Sequence, residues 1–267
     1  MNAQVLKLDG SQEGQVELPS AYFECAYRPD LIRRAFHSLI SSRFQPKGAF
    51  PLAGMQTTAE YYGRRHAWRQ TINTGRSRVP REKIPGGRSG RVLQIPSAVK
   101  GRRAHPPKPQ KILLEKINLK EKNAALRSAI GATANKTLVA ARGHAFEGSV
   151  PIVADDAFQS LKRVKDAKKA LEKFGVGKDL QRAKDGRKMR SGRARLRKGG
   201  YKTPTSVLII CAKDDGIWKA TRNLPGVDCV SVDKLDAELL APGGEAGRLC
   251  VWTKSAVEAL EREELYS

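Results

Sequence analysis

Over residues 204–267, apolar and polar positions alternate between two kinds of run. SVLIIC (206–211), GVDCVSV (226–232) and RLCVWT (248–253) are short and nearly continuous in apolar residues. Between and after them, IWKATRNL (217–224), KLDAELLA (234–241) and SAVEALEREEL (255–265) place apolar residues three and four apart. A strand buried on both faces needs a continuous apolar run, and the spaced runs suit helices that cover it. The alternation predicts an α/β fold: a mostly parallel, Rossmann-like sheet with helices on both faces.

Upstream the pattern is less regular. AQVLKL and GQVELP, separated by DGSQEG, predict a hairpin within residues 1–20. Pro29-Asp30 opens a helix with Leu31, Ile32, Ala35, Phe36, Leu39 and Ile40 as its stripe and Asp30 at its amide end, stopping near Arg43. Asn118 and Glu121 have capping-box spacing for a second helix, with Leu119, Ala125, Leu126, Ala129, Ile130 and Thr133 inward. VPIVA (150–154) fits a buried strand. Asp155 or Asp156 caps a third helix, with Phe158, Leu161, Val164, Leu171 and Phe174 inward and Gly175 at its end.

Two stretches fit neither period, and charge explains them. Residues 43–111 are rich in Gly and Pro and hold 16 Lys and Arg against Glu60 and Glu82, a net +14. Residues 178–202 hold 11 basic residues against Asp179 and Asp185, a net +9. Together they account for the whole formal charge of +23, so the rest of the chain balances at zero. The expected organisation is one α/β body from 1–42 and 112–267. It carries 43–111 as a long extended basic loop and 178–202 as a second basic segment. A loop of that length inside a compact domain is functional or disordered.

Such an excess calls for a polyanionic partner. Arginine predominates in both stretches, and its planar fork meets phosphate oxygens two at a time. In YYGRRHAWRQ (61–70) Tyr61, Tyr62, His66 and Trp68 interleave with Arg64, Arg65 and Arg69, a mixture suited to unstacked RNA bases and their phosphates. The candidate RNA contacts of the first stretch are Arg43, Lys47, Arg64, Arg65, His66, Trp68, Arg69, Arg76, Arg78, Arg81, Arg88, Arg91, Lys100, Arg102, Arg103, His105 and Lys108. Those of the second are Arg187, Lys188, Arg190, Arg193, Arg195, Arg197 and Lys198.

Catalytic patterns are missing from the sequence. No G-x-G-x-x-G follows a strand, GGRSG (86–90) lacks P-loop spacing, and H-E-x-x-H and G-x-S-x-G are absent. His37, His66, His105 and His144 lie in separate segments without an evident acid or nucleophile partner. Asp214 and Asp215 follow a strand but fit a turn and helix cap at Gly216. Cys25, Cys211, Cys229 and Cys250 form no C-x-x-C pair and read as reduced thiols, mostly in the core. No cofactor, metal or catalytic group is expected. With no apolar run of spanning length and no signal-peptide pattern, the expectation is a cytoplasmic protein with no membrane partner.

The run SAVKGRRAHPPKPQKILLEKINLKEKNAALRSAIGATAN (97–135) is preceded by NTGRSRVPRE (73–82) and followed by KATRNLPGVD (219–228) and LLAPGG (239–244). Together these resemble the ribosomal protein L four family in its archaeal and eukaryotic form, over essentially the whole chain, with the archaeal length. The resemblance implies a structural, non-catalytic component of the large ribosomal subunit whose body sits on ribosomal RNA and supports assembly. It further implies that the loop threads to the peptide exit tunnel. There its tip, around Arg64 to Arg78 with Trp68 and Thr74-Gly75-Arg76, meets the loop of ribosomal protein L twenty-two. The alternative from charge alone is a nonribosomal RNA-binding or chaperone protein.

Overall fold

The continuous apolar runs become the centre of the sheet because both of their faces are covered. A computed structural model describes residues 1–66, 72–86, 89–197, 199–262 and 265–266. The chain begins with β1 (Asn2–Leu6), β2 (Gln12–Glu17), α1 (Ser20–Phe23) and α2 (Pro29–Ser41). A hairpin, β3 (Arg81–Lys83) and β4 (Ser89–Val92), lies in the basic stretch. Then come α3 (Leu119–Ala134), α4 (Lys136–Ala141), β5 (Ile152–Ala154), a 3-10 turn (Asp156–Ser160), α5 (Val164–Leu171), a π turn (Glu172–Val176) and α6 (Gly177–Asp185). The second basic stretch carries β6 (Lys188–Met189), α7 (Arg193–Arg197) and β7 (Tyr201–Lys202). The chain closes through β8 (Leu208–Cys211), α8 (Ile217–Thr221), β9 (Asp228–Ser231), α9 (Ala237–Leu240), β10 (Cys250–Thr253) and α10 (Lys254–Arg262).

Six strands pair in the order β2-β1-β5-β10-β8-β9, parallel throughout except for β2, which turns back antiparallel at one edge. Val251 stands beside Ile209 and Trp252 beside Ile210 in that ladder. Successive side chains point to opposite faces. Leu208, Ile210, Val153 and Trp252 therefore join a core under α1, α2, α3, α9 and α10. Ile209, Val251, Ile152 and Ala154 join another under α5, α6 and α8. Trp252 is fully buried and meets the Phe23 ring edge-on at 5.3 Å. On the other face Phe158 and Phe174 meet edge-on at 5.5 Å. Each such side chain contributes about 1.5–3 kcal/mol by leaving water, which makes the sheet the rigid part of the chain.

The helices depart from expectation at their ends. Asp30 pairs with Arg28 at 2.9 Å instead of capping α2. The entry to α2 is held by Ser128 of α3, whose hydroxyl accepts from Arg28 N–H at 2.7 Å and donates to Ala26 O at 3.0 Å. The Asn118–Glu121 capping box does not form, because Glu121 is drawn to Arg34 at 3.0 Å. Leu119, at the first turn of α3, is 72% exposed. The third helix is broken in two. Phe158 sits in the 3-10 turn, and the chain continues through Gly175, at φ 79°, into α6 instead of stopping there. A side chain at Gly175 would place its Cβ 2.3 Å from Glu147 O, so the bend excludes other residues. Val164 is exposed, and α4 was not expected.

Two compact units divide the chain: Met1–Arg43 with Leu114–Ser267, and Phe44–Leu113. Within the first unit, Ser41 Oγ accepts from Glu115 N–H at 2.9 Å, which joins the two segments that flank residues 44–113. Nearby, Arg43 pairs with Glu238 at 2.6 Å.

The second unit doubles back on itself, where the sequence predicted no regular structure. Ala49 N–H donates to Pro107 O at 3.1 Å, and Glu60 and Arg81 exchange backbone hydrogen bonds at 3.2 and 3.3 Å. Gln94 reaches across to Thr57 Oγ1 at 3.1 Å. Gly54 and Gly101 lie where the two arms touch. A Cβ on Gly54 would fall 2.6 Å from the Gly101 carbonyl, and one on Gly101 1.9 Å from Ile95 O. Among the described residues only Ala59 and Leu93 are buried apolar groups in this unit, so hydrogen bonds hold it with little core. In RNA-free protein, limited proteolysis is expected to cut within 44–113 before the body. Gly54→Ala should hasten that cleavage several-fold by forcing the arms apart. Equal protection of both units would contradict this.

Candidate nucleic-acid interface

Unit Phe44–Leu113 has only two acids, and its own hairpin uses both. Glu60 accepts from Tyr62 OH at 3.0 Å and pairs with Lys83 at 2.7 Å. The Lys83 hydrogen bond, then that of Tyr62, holds the Glu60 carboxyl below its usual range. Glu82 faces Arg91 at 3.5 Å. The cations that remain point outward. Lys47, Arg64, Arg65, Arg78, Lys100, Arg102, Arg103 and Lys108 are exposed, with no ion pair among the described residues. Arg76, His66 and His105 are exposed as well.

Arg81 is different. Its guanidinium turns inward, donating to Ser77 Oγ at 2.9 Å and to Gly90 O at 3.5 Å, so it serves the hairpin. Arg43, committed to Glu238, serves the body. Trp68, Arg69, Arg88 and Lys198 lie outside the described residues.

A residue the charge pattern did not point to joins the arginines. Phe50, 57% exposed, lines a cleft of about 260 Å³ with Met55, Arg102, Arg103 and Lys108. An exposed ring beside two guanidinium groups offers a base a stacking face and its phosphate a charge. Only folding brings Phe50 and Arg102 together, since some fifty residues separate them.

The second basic stretch begins inside the body. Asp179, Leu180 and Ala183 are buried in α6, Lys178 and Lys184 on the same helix are exposed, and from Arg187 to Arg197 every residue but Arg190 is exposed. Arg187 lies over the Tyr201 ring at 4.4 Å, and Arg190 Nε donates to Tyr201 O at 2.9 Å, which holds both on the β6–β7 hairpin. Arg193, Arg195 and Arg197 project from α7 around Leu196, which is 89% exposed. Lys188 is exposed on the hairpin itself. Reversing the charge of Arg193, Arg195 and Arg197 is expected to weaken ribosomal RNA binding about tenfold or more and flatten its salt dependence. Unchanged affinity and slope would remove α7 from the interface.

His144 had no evident partner along the chain; the fold supplies one. His144 Nδ1 donates to Asp179 Oδ1 at 3.1 Å, Ala145 N–H reaches the same oxygen at 3.1 Å, and Arg182 Nε does so at 2.9 Å. Ser206 Oγ donates to Asp179 Oδ2 at 2.5 Å. Burial alone would raise the Asp179 pKa, but the hydrogen bonds from His144, Arg182 and Ser206 outweigh it and hold the carboxyl far below its ordinary range. Serine, histidine and aspartate meet here in an order that does no nucleophilic chemistry. The hydroxyl is spent on the carboxylate, not on the imidazole, and Ser206 and Asp179 are fully buried.

A second buried cation, Arg248, donates to Ser206 O and Leu239 O at 2.9 Å each and pairs with Asp228. Both clusters fasten the ends of α6, β8, β9 and β10. Asp214 accepts from Gly216 N–H at 3.1 Å and Trp218 N–H at 3.2 Å, the cap expected for α8. All four cysteines are free, and burial pushes the Cys250 thiol up to about 12. No group of acids, His and Cys among the described residues could hold a metal ion.

Known proteins share this sequence nearly end to end. The model of the ribosomal protein L4/L1 family matches residues 16–263. The large ribosomal subunit protein uL4 of Archaeoglobus fulgidus is 48% identical over 260 residues, covering 97% of this chain and 98% of its own. The uL4 protein of Methanocaldococcus jannaschii is 47% identical over 262 residues, covering 98% of each chain. That of Methanoculleus marisnigri is 48% identical over 261 residues, covering 98% and 99%. On two exposed cationic surfaces, a body fastened by buried ion clusters, and likeness along its full length, the chain belongs to the ribosomal protein L4/L1 family.

Proposed function

We propose that this chain is built into the large ribosomal subunit through its two cationic surfaces, which neutralise ribosomal RNA phosphates while the sheet holds them in place. As a member of its family the chain is a structural constituent of the large subunit, cytoplasmic with the ribosome, and not an enzyme. No helix among the described residues is long and apolar enough to cross a membrane. One observation carries the RNA reading. Both acids of the Phe44–Leu113 unit are consumed internally, while Arg64, Arg65, Arg102, Arg103 and Lys108 are exposed without carboxylate partners among the described residues. Such a surface gains from an RNA backbone by releasing its counterions.

The finer reading rests on the same unit. Residues 43–111 act as a long basic loop running inward along RNA, with the tip near Arg64 to Arg78 lining the peptide exit tunnel beside the loop of ribosomal protein L twenty-two. The paired arms support this, since a doubled chain of this length at about 3.3 Å per residue reaches up to about 100 Å. The parallel order β5-β10-β8-β9 supports a Rossmann-like, doubly wound reading of the body.

Sedimentation tests the whole proposal. The chain should co-migrate with large subunits and survive a high-salt wash, whereas release into light fractions at moderate salt would favour a free RNA binder. A photo-cross-linker at position 76 should capture a nascent peptide or ribosomal protein L twenty-two. Capture of neither would remove the tip from the tunnel.

A further inference from the structure

We infer that the cleft between α4 and the β6–β7 hairpin is a discrete phosphate site, taking one phosphodiester of an RNA backbone between Lys188 and Lys202. The inference rests on the RNA-binding reading above and adds a site on the body to it. The cleft has a volume of about 630 Å³, and its cations are Arg142, Arg182, Lys188 and Lys202, against a single acid, Glu245.

Three features make it a site and not an accident of a basic surface. First, Lys188 and Lys202 are directly opposed across the β6–β7 ladder, with Met189 opposite Tyr201 on the only other rung. Like charges so placed repel, and they strain a ladder of two residues per strand that is otherwise closed by the Arg187–Tyr201 stack and the Arg190 bonds to Tyr201 O and Gly200 O. Neither lysine side chain has a carboxylate or other hydrogen-bond partner among the described residues. An anion between them turns the repulsion into the contact that holds the hairpin closed.

Second, the back wall is preorganised. Asp179 fixes Arg182 through Nε at 2.9 Å, and Thr205 O accepts from its Nη2 at 2.8 Å. The guanidinium is thereby held at the cleft wall with Asp179 balancing its charge, which leaves Lys188 and Lys202 as the cations open to an anion. Arg142 donates to Pro242 O at 2.5 Å and to Glu245 O, so two carbonyls hold it in place at the cleft wall. Burial, with Arg248 close by, lowers the Arg142 pKa; a nearby anion would relieve that strain. Third, Thr203 adds a hydroxyl at the cleft wall, a donor that reads phosphate oxygen as readily as water. Two mobile ammonium groups in front of that fixed wall suit a tetrahedral oxyanion.

The test uses the full-length chain and large-subunit ribosomal RNA, with affinity measured across a potassium chloride series. Lys188→Ala/Lys202→Ala is compared with Lys168→Ala/Lys169→Ala, which removes equal charge from the exposed face of α5, and with Arg102→Ala/Arg103→Ala in the basic loop. The Lys188/Lys202 pair should weaken binding about tenfold and reduce the log–log salt slope by about 1, the share of one phosphate, while the α5 pair leaves the slope unchanged. In the free protein, inorganic phosphate should slow amide exchange at Met189 and Lys202 in wild type and not in the Lys188/Lys202 variant.

If the Lys188/Lys202 and α5 pairs behave alike while the loop pair weakens binding, the phosphate site falls and the RNA reading stands. If none of the three alters the affinity, the RNA reading itself fails. Protection by inorganic phosphate without any change in the RNA salt slope would assign the cleft to free phosphate and overturn its RNA role.

Discussion

Replacing residues 44–113 by a short Gly-Ser linker is expected to lower affinity for large-subunit ribosomal RNA by about 10³-fold near physiological salt and to flatten the log–log salt slope by about 5. The magnitude follows from the exposed cations of that unit. If about six of Arg64, Arg65, Arg76, Arg78, Lys100, Arg102, Arg103 and Lys108 each neutralise one phosphate, the slope falls by roughly 0.9 for each. The body should remain folded with a nearly unchanged melting temperature. Its two cores lie wholly outside the deleted segment, and the ends of the deletion are held together by Ser41 and Glu115. A filter-binding series across salt, paired with thermal unfolding, separates the two effects. An unchanged slope in a folded variant would show that the loop makes no phosphate contacts.

Asp179→Asn should destabilise the body by about 3 kcal/mol, or roughly 6–12 °C in melting temperature. The substitution keeps the shape but removes the charge, leaving the buried His144 N–H and the partly buried Arg182 without their anion. The pH dependence has a definite sign. The Asp179 carboxyl is depressed in the folded state, so its contribution is fully present above the ordinary aspartate value of about 3.9 and is lost as pH falls below it toward the folded value. The gap between wild type and Asp179→Asn should therefore be widest near neutrality and narrow below about pH 4. Thermal or urea unfolding at pH 7, 5 and 3 measures it. A gap that stays constant with pH would mean that the carboxylate is not ionised through its buried contacts. A variant as stable as wild type at pH 7 would mean that the cluster does not fasten α6 to β8.

Several elements were legible in the sequence because one local cause decides them. SVLIIC and RLCVWT could only be strands with two covered faces, since no other arrangement buries Leu208 through Ile210 and Val251 with Trp252. The stripe of α2 and the apolar face of α3 from Ala125 to Ile130 followed from helical spacing in the same way. The concentration of positive charge in two stretches also needed no structure, because self-repulsion on that scale excludes a core and calls for a polyanion.

Wherever two local causes compete, the tertiary structure decided. Glu121 could cap its own helix or pair with Arg34, and packing of α2 on α3 chose the arginine. Gly175 could end a helix or bend it, and the close approach of Glu147 O made it a bend. Arg81 and Arg64 look alike in sequence, yet a hairpin turns the first inward and leaves the second exposed. The same holds for His144 with Asp179, for Phe50 with Arg102, and for Lys188 opposite Lys202. Each partner is distant along the chain, so the contact exists only once the backbone has been closed. Sequence periodicity and charge thus determined which residues must be buried and which must meet an anion. The fold alone determined which cations are spent on the protein and which stay exposed, because a charge paired with a carboxylate is neutralised before any partner arrives.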